Sequence, residues 1–177
     1  DIIFKDVGIN ETRTGIIEVL KAMGADIELL NVRDEVEPIA DIRVRYAKLH
    51  GTSFGADIMP RLIDEIPIIT VASMFAEGET IITGAGELRV KETDRLQVIT
   101  DEFNKVCPCI KGTQDGLIIT GSQRKKKQKV VCNSHDDHRI AMALAILGAS
   151  GVGIEIENSE CVNISYPTFY EILTRFE

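Results

Sequence analysis

Three short stretches gather the residue types that acid–base chemistry and anion binding require. The densest is Arg89-Val-Lys91-Glu92-Thr93-Asp94-Arg95-Leu96. It sets basic and acidic groups directly before an amphipathic pattern, and Thr93 or a neighbour is placed to cap the helix that follows. On a helix, Lys91 and Arg95 at i, i+4 and Glu92 and Arg95 at i, i+3 share one side. Two like charges four apart repel unless an anion or a carboxylate joins them, and the free N–H groups of a helix start favour an anion. A solvated helix start laced with ion pairs is the plainer reading of the same run.

The second stretch is Ser134-His135-Asp136-Asp137-His138-Arg139, just before the apolar run Ile140–Leu147. Asp136 or Asp137 suits an N-cap. His135, Asp137 and His138 invite a metal reading, but three ligands so close along the chain rarely converge on one ion, and no metal is expected. Arg139 is more informative, because a guanidinium at the mouth of an apolar helix is costly without an acidic partner or an anionic ligand. The third stretch, Arg61-Leu-Ile-Asp64-Glu65-Ile-Pro67, also opens an apolar helix. Pro67 fits a first turn, and Asp64 reads as a natural cap.

These stretches need elements to carry them, and the chain supplies the elements in repeats. Ile2–Gly8 and Ile81–Gly86 are apolar strands ending in glycine, each followed by a polar stretch and an amphipathic helix. Ile16, Ile17, Val19, Leu20 and Met23 form the apolar stripe of the first helix, which Gly24 stops. Leu96, Ile99, Phe103 and Val106 form that of the second, with Pro108 just past its end. After the first helix come strands near Ile27–Val32 and Asp41–Tyr46, turns marked by Gly51 and Gly55, and a buried helix over Pro67–Phe75 closed by Gly78. After the second come Gly116–Thr120, a basic run Arg124–Lys129 that reads as a solvated hairpin tip, Val130–Cys132, and a buried helix over His138–Leu147 closed by Gly148. A shortened third copy runs from the strand Gly153–Ile156 to a helix over Pro167–Phe176. The repeats span roughly 1–78, 79–150 and 151–177. Buried helices enclosed by sheet and outer helices fit this α/β pattern, and so does a plain two-layer α+β repeat.

The 177 residues suit one domain or two very small ones, and 44% hydrophobic with 27% charged is ordinary for a globular chain, which excludes a disordered tail or a disulfide miniprotein. The net charge of −8 opposes nucleic acid and anionic membrane. It leaves room for a small anion, since local Arg and Lys dominate within a Debye length of about 8 Å. No apolar run reaches the roughly 18 residues of a membrane span. Cys107-Pro-Cys109 is too tight for a zinc knuckle, so Cys107, Cys109, Cys132 and Cys161 read as free thiols in a reducing cytoplasm. The abrupt start at Asp1, without Met, reads as one lobe of a longer protein.

Val90-Lys91-Glu92-Thr93-Asp94-Arg95-Leu96 and Asp136-Asp137-His138-Arg139-Ile-Ala-Met142, with Pro60–Pro67 and Ile164-Ser165-Tyr166-Pro167, resemble the motifs of the 5-enolpyruvylshikimate-3-phosphate synthase family, in family order and over nearly the whole chain. The resemblance implies a two-lobed enzyme. Each lobe is an inside-out α/β barrel of three βαβαββ units around buried parallel helices, and this chain is the C-terminal portion, most of one lobe. It implies transfer of the enolpyruvyl group of phosphoenolpyruvate to the 5-hydroxyl of shikimate 3-phosphate by addition and then elimination of phosphate, on the route to chorismate and aromatic amino acids. No cofactor or metal is implied. The implied partners are the two substrates and the N-terminal lobe, in a cytoplasmic protein that is a monomer at full length.

By the same resemblance, Asp64 contacts shikimate 3-phosphate and takes the hydroxyl proton, while Glu92 protonates the methylene carbon and later helps remove a proton. Lys91 binds near shikimate 3-phosphate and phosphoenolpyruvate, and Arg95 and Arg139 clamp the phosphoenolpyruvate carboxylate. His138 and Asp137 stand behind these groups. The pattern departs at Ile164, where many members carry a phosphate-binding Lys. An enolpyruvyl transferase acting on a UDP-amino sugar, and a non-catalytic repeat domain that binds a protein partner, are the alternatives.

Overall fold

Runs rich in Ile and Val alternate with helical patterns along this chain, and the architecture follows that alternation. The computed structural model describes residues 1–34, 36–121 and 129–176. Strand β1 (Ile2–Gly8) leads to helix α1 (Gly15–Ala22), then β2 (Asp26–Arg33), β3 (Ile39–Arg45), the short β4 (Ser53–Phe54) and α2 (Ile66–Phe75). Next come β5 (Glu79–Ile82), α3 (Arg95–Val106), β6 (Ile110–Gly112), β7 (Leu117–Thr120), β8 (Val130–Asn133) and α4 (His138–Ala149). Strand β9 (Ile154–Glu157), a 3-10 turn over Ser159–Ile164 and α5 (Phe169–Leu173) end the chain.

The strands form three sheets, in the orders β1-β3-β2, β4-β5-β7-β6 and β8-β9. β1 and β2 both lie antiparallel to β3, and β5 and β6 both lie antiparallel to β7. β4 pairs in parallel with β5 across α2, and β8 pairs in parallel with β9 across α4. A parallel pair needs a crossover, so each of these helices is carried inward between two strands.

That placement explains the composition of α2 and α4, which are apolar nearly all round. Ile66, Ile69 and Met74 of α2 pack in one core with Ile140, Leu144 and Leu147 of α4. Leu96, Ile99, Phe103 and Val106 of α3 close that core, as their spacing predicts, together with Ile82, Leu117 and Ile119 of the central sheet. The two polar residues buried in α2 stay within the helix: Thr70 Oγ1 donates to Ile66 O at 2.9 Å and Ser73 Oγ to Ile69 O at 2.8 Å.

Three local expectations change. Gly55 opens a turn, its carbonyl accepting from Ile58 N at 3.2 Å, but Gly51 does not mark one: it precedes β4, where a Cβ would lie 2.1 Å from Glu79 O, and glycine lets the chain close on β5. Helix α4 runs through Gly148 to Ala149, and Gly151 (φ +91°), whose N–H donates to Gly148 O at 3.0 Å, makes the left-handed exit. The C-terminal helix is only Phe169–Leu173, continued by a 3-10 turn over Thr174–Phe176, and Thr168 offers its first turn no side-chain cap. Strand β6, three residues long, is too short to give a periodic signal. The basic run Arg124–Lys129 lies, apart from Lys129, outside the described residues. All four cysteines are free, and burial, with Cys107 beside it, pushes the Cys109 thiol up to about 12. Among the described residues no helix is long and apolar enough to cross a membrane.

The first sheet is pinned by one carboxylate. β1 and β2 each shift register beside β3, where Asp6 (φ 56°) and Asn31 (φ 49°) take the left-handed conformation. Asp41 on β3 ties both irregularities: it accepts from Lys5 Nζ at 2.6 Å, Asn31 Nδ2 at 2.7 Å and the Asp6 N–H at 3.1 Å. Lys5, then Asn31 and the Asp6 N–H, lower its pKa to about 2. Because the folded value lies below the unfolded one, this stabilisation is present above the ordinary carboxylate pKa of 3.8 and is lost as pH falls towards 2. Asp41→Asn should therefore lower the urea midpoint at neutral pH and flatten its fall between about pH 4 and pH 2. Equal midpoints at neutral pH would contradict this account.

Candidate active site

Helices α2, α3 and α4 begin close together, and a single guanidinium joins their starts. Arg95, the first residue of α3, is 1% exposed. Its Nε donates to Asp137 Oδ2 at 2.7 Å, Nη2 to Glu92 Oε2 at 2.6 Å and Nη1 to Asp64 Oδ1 at 3.2 Å. Burial opposes its charge, yet Asp137, then Glu92 and Asp64, outweigh burial and raise its pKa.

Each carboxylate arrives by its own local logic. Asp137 caps α4, accepting from the backbone N–H of Arg139 at 2.9 Å and of Ile140 at 3.4 Å, and is itself fully buried. One side chain thus satisfies a helix end and a buried cation together. Asp64 lies in a 3-10 turn, Ile63–Glu65, and makes no cap hydrogen bond to α2, contrary to its expected role. Pro67, which has no N–H to offer, sits where a cap would look for a donor, so the carboxylate turns to the arginines. Glu92 and Lys91 lie before α3 rather than on it, because Asp94 caps that helix through Gln97 N at 3.0 Å. Lys91 therefore does not share a helix face with Arg95, and its Nζ pairs with Glu87 at 2.7 Å. Arg89 buttresses the same turn through Asp94 at 2.7 Å.

Arg139, with a side chain 31% exposed, forms the open side of the cluster. Its Nη2 lies 3.4 Å from Asp64 Oδ2, and its Nη1 donates to Asp64 O at 3.1 Å. Asp64 therefore bridges two guanidiniums, one oxygen to each. Glu65, 3.7 Å from Arg139 Nη1, is a site neighbour that sequence reasoning missed, although it follows Asp64 directly. Burial raises its pKa. Asp64, Glu65, Arg139, Met142, Ile146 and Phe169 line a cavity of about 200 Å³ beside the pair.

The expected set is thus brought together in part. Asp64, Glu92, Arg95, Arg139 and Asp137 share one network, His138 opens α4 half-buried, and Lys91 is directed to Glu87. His135 turns away to Glu102, 3.4 Å from it, so His135, Asp137 and His138 do not form a ligand set. Ile164 is 89% exposed at the end of its 3-10 turn. Chemically, two facing guanidinium forks suit a planar anion, and Asp64 and Glu92, the less buried carboxylates, can exchange protons with a bound molecule.

Known proteins resemble this chain in sequence and in structure. The family model described as EPSP synthase (3-phosphoshikimate 1-carboxyvinyltransferase) matches residues 1–173. The 3-phosphoshikimate 1-carboxyvinyltransferase of Pelotomaculum thermopropionicum is 48% identical over 99% of this chain and 41% of its own length. That of a Thermoanaerobacter species is 49% identical over 97% of this chain and 40% of its own. The chain therefore spans about two-fifths of these curated relatives. The solved EPSP synthase of Acinetobacter baumannii superposes with a TM-score of 0.87 at 41% identity, covering 98% of this chain and 41% of that one. An enolpyruvyl transferase of Streptomyces tendae, at 18% identity and TM-score 0.62 over 92% of this chain and 34% of that one, shares the fold. Matched along almost its whole length in sequence and in structure, the chain belongs to the EPSP synthase (3-phosphoshikimate 1-carboxyvinyltransferase) family.

Proposed function

We propose that the chain is one lobe of a carboxyvinyltransferase that joins the enolpyruvyl group of phosphoenolpyruvate to the 5-hydroxyl of shikimate 3-phosphate and releases phosphate. The reading divides the lobe into repeats of about 1–78, 79–150 and 151–177, and a second lobe of the same protein completes the site. The whole protein works as a cytoplasmic monomer.

One observation carries the reading: the Asp64 carboxylate sits between Arg95 and Arg139, 3.2 and 3.4 Å from their nitrogens. A carboxylate held there by two forks stands where the carboxylate of phosphoenolpyruvate would bind. Asp64 then turns from the arginines towards the acceptor hydroxyl and takes its proton as the new C–O bond forms. Glu92 gives a proton to the methylene carbon, which becomes a methyl group. In the second step the Glu92 carboxylate takes a methyl proton back as the C–O bond to phosphate breaks and phosphate leaves with that bond's electron pair. Asp137 stays fixed on Arg95 throughout, since removing a partner from so buried a cation costs about 3–5 kcal/mol. Lys91 would have to leave Glu87 to reach substrate.

Phosphate release by the whole protein carrying this chain tests the reading. Arg139→Ala should raise the KM for phosphoenolpyruvate about 10- to 100-fold, as the loss of a charged hydrogen bond does. Glu92→Gln should lower kcat about 10²- to 10⁴-fold with little change in KM. Residues 1–177 alone should release phosphate at a small fraction of the whole protein's rate, because both reactants must be held in place. A protein active only with a UDP-amino sugar, or an Arg139→Ala variant with unchanged KM, would overturn it.

A further inference from the structure

We propose that Glu102 is a positioning residue for the arginine site, holding the turn that delivers Asp137 to Arg95. The inference deepens the functional reading above and rests on it. Glu102 lies on α3 seven residues after Arg95, two helical turns along the same face. It is 5% exposed, and its carboxylate meets three donors. Oε2 accepts from the Asn133 N–H and from Lys105 Nζ, each at 2.7 Å, and Oε1 lies 3.4 Å from His135 Nε2. Burial opposes the charge, but Lys105, the Asn133 N–H and His135 outweigh it and lower the pKa, so the group stays ionised.

What it grips is a strained segment. His135 (φ 53°) and Asp136 (φ 60°) are consecutive non-glycine residues in the left-handed region, a conformation that persists only where the surroundings over-determine it. Asn133 Oδ1 accepts from His135 N at 2.7 Å, and Ser134 Oγ accepts from Asp136 N at 3.2 Å while donating to Asn158 O at 3.0 Å. These bonds shape the turn and tie it to Asn158, and Ser134 N donates to Glu157 O of β9 at 3.1 Å. Glu102 ties it to α3, the helix that presents Arg95. Arg95 and Asp137 are therefore joined twice, directly at 2.7 Å and again through Glu102 and Asn133. The second tie fixes α3 against the turn, so that Asp137 reaches the guanidinium and the first N–H groups of α4 together.

Nitrogen-15 NMR of the chain tests this without ligand. In Glu102→Ala, exchange at the Arg139 and Ile140 amides, which Asp137 caps, should rise about tenfold relative to core amides such as Ile69 and Leu144, and the Arg95 Nε–H signal should move. Glu102→Gln, which keeps an acceptor for the Asn133 N–H, should recover most of the protection. Asp136→Gly placed in Glu102→Ala should recover part of it, since glycine adopts positive φ freely. If Glu102→Ala does not fold, Glu102→Asp keeps the charge but draws the carboxylate back, and should loosen the same three signals. Exchange raised uniformly across the core, or an unmoved Arg95 signal with unchanged cap amides, overturns the proposal. Titrating the wild-type chain with phosphoenolpyruvate in the same samples reads the functional proposal separately, because the exchange signals need no ligand.

Discussion

A buried guanidinium governs how this part of the molecule is arranged. Arg95 is 1% exposed, and an isolated cation so placed would be prohibitively costly. It is tolerated because carboxylates from three separate segments reach it: Asp64 before α2, Glu92 before α3 and Asp137 at the start of α4. Each must arrive at its own distance and angle, which fixes the three helix starts relative to one another. Replacing such a network by apolar groups often leaves stability unchanged, so what it secures here is geometry more than strength.

The sheets make that convergence possible. Parallel pairing of β4 with β5 and of β8 with β9 brings α2 and α4 inward side by side, with their N-termini neighbouring the start of α3. The interior of these helices is apolar, so polar chemistry is confined to their ends. Free N–H groups and the positive end of the helix dipole favour carboxylates there. Asp137 answers a helix end and a cation at once, and this economy leaves Asp64 and Glu92 less committed. Those two, not Asp137, are free to exchange partners.

Much of this was legible in the residues. The spacing of Leu96, Ile99, Phe103 and Val106 gave α3 its buried face, and apolar runs after Asp64 and Asp137 gave the inner helices. Motif order pointed to the family, and the comparisons bear that out. Other features were hidden for physical reasons. Asp64 read as a helix cap because local sequence shows the nearest N–H groups, whereas its partners Arg95 and Arg139 lie 31 and 75 positions away. The cap of α3 is Asp94, the neighbour of Thr93, and a cap at either residue leaves Lys91 and Glu92 before the helix, so the face they would share with Arg95 does not form. β6 is too short to carry periodicity, and Glu102 looked like one more charge on an amphipathic helix. Only the fold shows that it faces the turn at Asn133–Asp136.

The central claim is that Asp64, bridging Arg95 and Arg139, occupies the place of a substrate carboxylate while Asp137 holds Arg95 still. A crystal structure of the whole protein with shikimate 3-phosphate and phosphoenolpyruvate tests it most directly. The account predicts the phosphoenolpyruvate carboxylate between the two guanidiniums, Asp64 turned to the acceptor hydroxyl, and Arg95 Nε still bonded to Asp137. Phosphoenolpyruvate bound elsewhere, with Asp64 still bridging the arginines, would contradict it.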